Sequence, residues 1–176
     1  SAELEHTHRF DDDLQLALSA FGNEVDNLIV LRETADTAGL LAFANTAERM
    51  RGYGAEGELR WEPGAGTLVS FAYSWQRVRS YRDGTSFPFV NAPQHLAAVR
   101  TTYALVPLYL RLAVEALYDI ARTTRDGRRV DDAFTMNVTF SGDARIWRLR
   151  WFAGVYNLFD VRGFRTGYPV GEEVPT

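Results

Sequence analysis

The sequence has 176 residues, of which 46% are hydrophobic and 13% aromatic, and its formal net charge is -4. It contains no run of about 18 apolar residues, which excludes a helical membrane span, and the acidic balance points away from a nucleic-acid partner. With no cysteine, a disulfide framework and a thiolate metal site are excluded as well.

Mean hydropathy is only -0.22, so the apolar residues must be interleaved with polar ones. They recur with period two, which predicts strands with two unlike faces. About eight strands are predicted within a single domain over residues 1–176. The first, over 2–10, carries Glu3, Glu5 and Arg9 on one face and His6 and His8 on the other. A polar turn at Asp11–Asp13 leads to the second, 13–30, where Leu14, Leu16, Leu18 and Ala20 oppose Gln15, Ala17 and Ser19. A link over 31–41 precedes the third strand, 42–62, which bears Glu56, Glu58 and Arg60. Glu62–Gly66 is read as a turn. Its Gly64-Ala65-Gly66 is no phosphate cradle, since no helix follows it. In the fourth strand, 66–80, Val69, Phe71, Tyr73 and Trp75 oppose Ser70, Ala72, Ser74 and Gln76. A link over 81–92 leads to the fifth, 93–106, which carries Arg100. A turn at Val106–Pro107 opens the sixth, 107–122, where Leu108, Leu110, Leu112, Val114, Ala116 and Tyr118 oppose Tyr109, Arg111, Ala113 and Glu115. After a link over 123–128 comes the seventh, 129–141, with Phe134, Met136, Val138 and Phe140 opposing Thr135, Asn137 and Thr139. A turn at Ser141–Ala144 precedes the eighth, 145–158. There Trp147, Leu149, Trp151, Ala153 and Val155 oppose Arg148, Arg150, Phe152, Gly154 and Tyr156.

Short turns alternate with longer links, the asymmetry of an outer-membrane barrel with short periplasmic turns and longer extracellular loops. The expected fold is therefore all-β, an antiparallel up-and-down transmembrane β-barrel. Its polar face holds Glu3, Glu5, Arg9, Glu56, Glu58, Arg60, Arg100, Arg111, Glu115, Arg148 and Arg150. Charges inside a small barrel must pair, because an unpaired one costs several kcal/mol, so Glu–Arg pairing across neighbouring strands is expected. On the apolar face Tyr53, Trp61, Tyr73, Trp75, Tyr118, Trp147 and Trp151 fall toward strand ends, where amphipathic rings suit a membrane interface. The competing reading is a soluble β-sandwich or ligand-binding barrel with an aromatic core.

Four stretches resemble the TonB-dependent outer-membrane receptors. Ala2-Glu3-Leu4-Glu5 through Arg9-Phe10, then Leu14–Phe21 and Asn27-Leu28-Ile29, look like the family's strand pair and its "dnLI" turn. Asn45 followed by Arg51-Gly52-Tyr53-Gly54-Ala55-Glu56-Gly57 is similar to its "N…rGxE" strand. Asn91-Ala92-Pro93-Gln94-His95 resembles an "xPxH" strand entry, and Val155-Tyr156-Asn157-Leu158-Phe159-Asp160 an "NLFD" element. The resemblance implies a bacterial outer-membrane address and a barrel segment. Full members are 22-stranded with a plugged lumen, and neither the plug nor the final strand is recognised in these residues. Energy-coupled uptake and its coupling partner are therefore not carried over. A structural or passive pore-type role is expected, with membrane lipid or detergent as partner. An open edge is not tolerated in lipid. Closure is expected by pairing 2–10 with 145–158 in a monomer, or alternatively by a homodimer that makes a larger ring.

No cofactor is expected, and three groups are candidates for chemistry. His6 and His8 share a face but lack a third metal ligand. Ser74 and His95, with Asp83 in the link between them, are the only visible serine–histidine pair, the minimum for an esterase-like membrane hydrolase. Asp11-Asp12-Asp13 lacks the spacing of a calcium loop and reads as a turn.

Overall fold

The computed structural model describes residues 1–33, 41–64, 66–89, 92–107, 109–120, 122, 129, 131–144 and 148–161. Its strands are β1 (Ala2–Arg9), β2 (Leu14–Val25), β3 (Ile29–Glu33), β4 (Leu41–Asn45), β5 (Arg49–Trp61), β6 (Leu68–Arg82), β7 (Thr85–Pro88), β8 (His95–Val106), β9 (Leu110–Ile120), β10 (Ala133–Ala144) and β11 (Leu149–Val155). One antiparallel sheet runs in the order β1-β2-β5-β6-β8-β9-β10-β11, with β7 added on β6; β3 and β4 form a separate hairpin. The eight strands of that path are the eight that the alternation predicts, and the chain is all-β. No helix among the described residues is long and apolar enough to cross a membrane, which says nothing of strands.

The sheet is a single layer. Among the described residues no hydrophobic side chain is buried. A soluble sandwich or barrel would need an apolar core, so that reading is overturned.

Register keeps the two faces distinct, since pairing partners share a face. One row on the polar face runs Arg9–Gln15–Arg60–Ser70–Arg100–Glu115–Asn137 across seven strands. The adjacent outward row includes Leu16–Leu59–Phe71–Val99–Ala116–Met136. Short turns gather at one end. At Asp11–Asp13 the Asp11 carboxylate accepts the Asp13 and Leu14 amides at 2.9 and 2.7 Å, the usual way an Asp closes a turn. Gly64 and Gly66 take φ of 87° and 74° in the next. Tyr109 N–H closes the third on the Val106 carbonyl at 3.0 Å.

Several expected boundaries move, each for a local reason. The long strand predicted over 13–30 breaks because Asn27 adopts φ 58°, a left-handed position that Asn tolerates and most residues do not. Residues beyond it pair in the separate hairpin, Ile29 opposite Asn45. The 81–92 link contains β7, turned at Asp83 and Gly84 with φ of 49° and 78°, the Asp-Gly signature of a two-residue hairpin. Ser141–Ala144 is strand rather than turn. Gly142 pairs with Trp151 and Asp143 with Arg150. A Cβ at Gly142 would lie 2.8 Å from the Trp151 ring, so the glycine seats an aromatic ring rather than a reversal. β11 ends at Val155, and Asn157 follows at φ 51°. Its side chain accepts from Val161 N–H at 3.0 Å and donates to the Val161 carbonyl at 3.2 Å, so the "NLFD" residues form a turn beyond the strand.

The expected closure of the first strand on the last is not found. β1 and β11 are the two ends of the strand order, and the sheet stays open.

Candidate functional site

The two faces of the sheet are its functional surfaces, and alternation places every side chain on one or the other. On the outward face Tyr53, Tyr73, Trp75 and Tyr118 stand toward the end with the longer links. Tyr53 and Trp75 meet edge to face at 5.8 Å, and Tyr118 and Phe134 at 6.4 Å. Trp61 and Trp151 stand toward the short-turn end, opposite Leu14 and Gly142. Trp147 lies outside the described residues. Tyr53 and Trp61 are eight positions apart on β5, about 26 Å along the strand and about 20 Å along a membrane normal at a ~40° tilt. Two aromatic girdles at that spacing bracket an apolar band of leucine, valine, alanine and phenylalanine.

Across the polar face the pairing is sparser than expected. Arg100 Nε meets Glu115 Oε1 at 2.9 Å, directly across β8 and β9. Arg60 Nε reaches Glu62 Oε1 at 2.5 Å rather than Glu58 or Glu56. Those two carboxylates accept from serines instead, Ser74 Oγ to Glu56 at 2.9 Å and Ser70 Oγ to Glu58 at 2.8 Å. Arg111 faces Ala104 and Ser141, and no carboxylate of the described residues pairs with it. Its guanidinium lies beside Gly66, 3.1 Å from where a Cβ would stand. Glu3, Glu5, Arg9 and Arg150 also lie on this face without an ion pair among the described residues, though Arg150 opposes Asp143 in register. Arg148 sits in the turn ahead of β11 at φ 52°, not mid-strand. The face is open: Arg100 and Glu115 side chains remain 68% and 50% exposed despite their bond. Charges left in water need no fixed partner, and among the described residues Arg100–Glu115 is the one cross-strand Glu–Arg pair formed by the charges expected in the lumen.

The serine–histidine pair is not assembled. Ser74 pairs with Leu96 and His95 with Trp75, so Ser74 points to the polar face and His95 to the outward one. Ser74 is engaged by Glu56, and His95 Nδ1 lies 2.7 Å from the Tyr73 hydroxyl. Asp83 occupies the β6–β7 turn, past the stretch of β6 that pairs with β8. A strand neighbour one residue out of step faces the other way, and that single step keeps the Ser74 hydroxyl and the His95 ring apart. His6 and His8 stand side by side on the outward face with ring centroids 6.3 Å apart. No group of three metal-ligating residues exists among the described residues.

Sequence reasoning missed the charges beyond the upper girdle, the one at the end with the longer links. Arg49 bonds Asp26 at 2.7 Å and Glu24 at 3.2 Å, and Arg51 takes the other oxygen of Glu24 at 2.6 Å. Hydrogen bonding to Asp26, then the charges of Asp26 and Glu24, raise the Arg49 guanidinium above its already high pKa. On the opposite side Glu48 accepts from Ser80 at 2.7 Å and also pairs with Arg82. The signal was available: on β5 and β6 the outward positions change from aromatic to arginine just past Tyr53 and Trp75.

A single-layer sheet with one apolar and girdled face, one charged and wet face, and unequal loop lengths at its two ends is barrel wall. The family model described as TonB dependent receptor-like, β-barrel, matches residues 4–158. The chain belongs to that family. Such barrels are bacterial outer-membrane proteins, and that is the location of this chain. Among solved structures, the siderophore receptor PiuA from Acinetobacter baumannii matches with a TM-score of 0.67 at 20% identity, over 92% of this chain and 24% of the receptor. The FpvAI–pyocin S2 complex matches with a TM-score of 0.67 at 17% identity, again over 92% of this chain and 24% of that one. At such identities the likeness is one of fold, and the chain spans about a quarter of the length of these neighbours. No curated protein matches it.

Proposed function

We propose that this receptor-barrel segment is a sector of the wall of a wide, water-filled outer-membrane barrel, and that its own role is passive. Its outward face holds the wall in lipid while its polar face lines a path for hydrophilic solutes. The observation that carries the reading is the openness of the polar face, where the paired Arg100 and Glu115 stay more than half-exposed or half-exposed on an unclosed sheet. An eight-stranded ring has an interior just wide enough for side chains to fill, which this face does not resemble. Further strands beyond these residues would complete the ring; a second copy of the chain is the other way to do so. In this reading the sector itself performs no energy-coupled step.

The test is bilayer conductance of the reconstituted protein together with its mass in a detergent micelle. A steady, voltage-independent conductance without any energy source supports the wall-and-path reading. A monomer of 19.9 kDa that inserts, stays folded and conducts nothing refutes it, because eight strands would then have closed on a filled interior. A conducting dimer would keep the passive path and assign the remaining strands to a second copy.

A further inference from the structure

We infer that Arg77 and Arg79 form an outward-facing docking site for the phosphate groups of a lipid headgroup in the outer leaflet. Both continue the face that carries Phe71, Tyr73 and Trp75 on β6, because all are odd-numbered positions of one strand. Arg77 pairs in register with Tyr53, and Arg79 with Arg51 on one side and Pro88 on the other. Arg77 lies two positions past Trp75 and Arg79 four. At a ~40° tilt those steps set them about 5 and about 10 Å beyond the girdle. The polar layer outside the hydrocarbon is about 5–8 Å deep on each side, so Arg77 lies within it, and Arg79, just outside it, reaches back to the depth of lipid phosphates through its long side chain.

Charge on this patch is unbalanced. The outward cations beyond the girdle are Arg49, Arg51, Arg77 and Arg79, and the carboxylates facing them are Glu24 and Asp26. Glu24 and Asp26 are taken up by Arg49 and Arg51. Arg51 is further held over the Tyr81 ring at 5.4 Å, a cation–π contact that fixes its direction. Arg77 and Arg79 have no ion pair among the described residues. Two free guanidinium groups on one strand face, directly above aromatic rings that anchor at the interface, suit a ligand with apolar chains and phosphate together. Arginine is also the side chain whose planar donors match phosphate best. This surface is on the lipid side of the wall and does not depend on whether the lumen conducts.

The test uses the folded full chain in neutral-detergent micelles, titrated with diphosphorylated lipid A and read by native mass spectrometry. Dephosphorylated lipid A and inorganic phosphate serve as comparison probes. Binding of the phosphorylated lipid is expected to weaken about fivefold for each arginine removed, so about 25-fold for R77Q/R79Q. R77K/R79K should recover much of it, and R148Q, in a turn at the other end, should leave it unchanged. Equal binding of phosphorylated and dephosphorylated lipid overturns the assignment. So does an unaltered affinity in R77Q/R79Q, or displacement of the lipid by equimolar inorganic phosphate, which would make this a free-anion site. If R77Q/R79Q does not fold, R77K/R79K and the lipid comparison on the unsubstituted chain decide the matter alone.

Discussion

Replacing Val114 with arginine tests the face assignment most directly. Val114 lies on β9 midway between Leu110, level with the Trp151 row, and Tyr118 in the upper girdle. Four positions in either direction are about 13 Å along the strand, or about 10 Å along the normal at a ~40° tilt. That puts Val114 at the bilayer midplane, where an outward arginine costs about 2–4 kcal/mol. The folding equilibrium should then shift about 30- to 900-fold. Ala113, the next residue, faces Thr102 and Thr139 on the polar side. An arginine there joins a wet surface, and the expected change is within about 0.5 kcal/mol, the ordinary range for a surface substitution. Urea unfolding of the protein in phospholipid vesicles, followed by tryptophan fluorescence, measures both. If A113R were as damaging as V114R, or V114R as harmless as A113R, the division into lipid and water faces would be wrong.

Two further substitutions follow from local geometry. A Cβ at Gly54 would stand 2.5 Å from the Trp75 carbonyl oxygen and 2.7 Å from the Phe21 ring that lies over it, whereas a Cβ at Gly22 meets nothing within 4 Å. G54A should therefore lose about 1–3 kcal/mol by overpacking while G22A stays near neutral; equal urea midpoints for the two would show that the Phe21 ring moves freely. For the Arg100–Glu115 bridge, a double-mutant cycle through R100A and E115A should return a coupling of only about 0.2–1 kcal/mol. A coupling well above that range would mean a dry, packed interior and would undo the open-face argument.

The sequence by itself determined the strands, their two faces and the membrane they suit, because a period of two in polarity is set by covalent geometry alone. It also determined which end carries short turns, through Asp11, Gly64 and Gly66. The turn at Asp83-Gly84 was equally legible, and was lost inside a link only because the residues after it, Thr85–Pro88, are few. Other features needed the tertiary structure. Ser141-Gly142-Asp143 has the composition of a turn, and only the Trp151 ring over Gly142 makes it strand. Ser74 and His95 are adjacent strand partners to within one residue, yet register decides the face, and register is a property of two strands together. Whether charges on the polar face pair depends on how far apart the walls of the lumen stand. Alternation along one strand carries no information on that curvature, and in the open sheet Glu56 and Glu58 are held by serines while Arg111 has no carboxylate partner among the described residues.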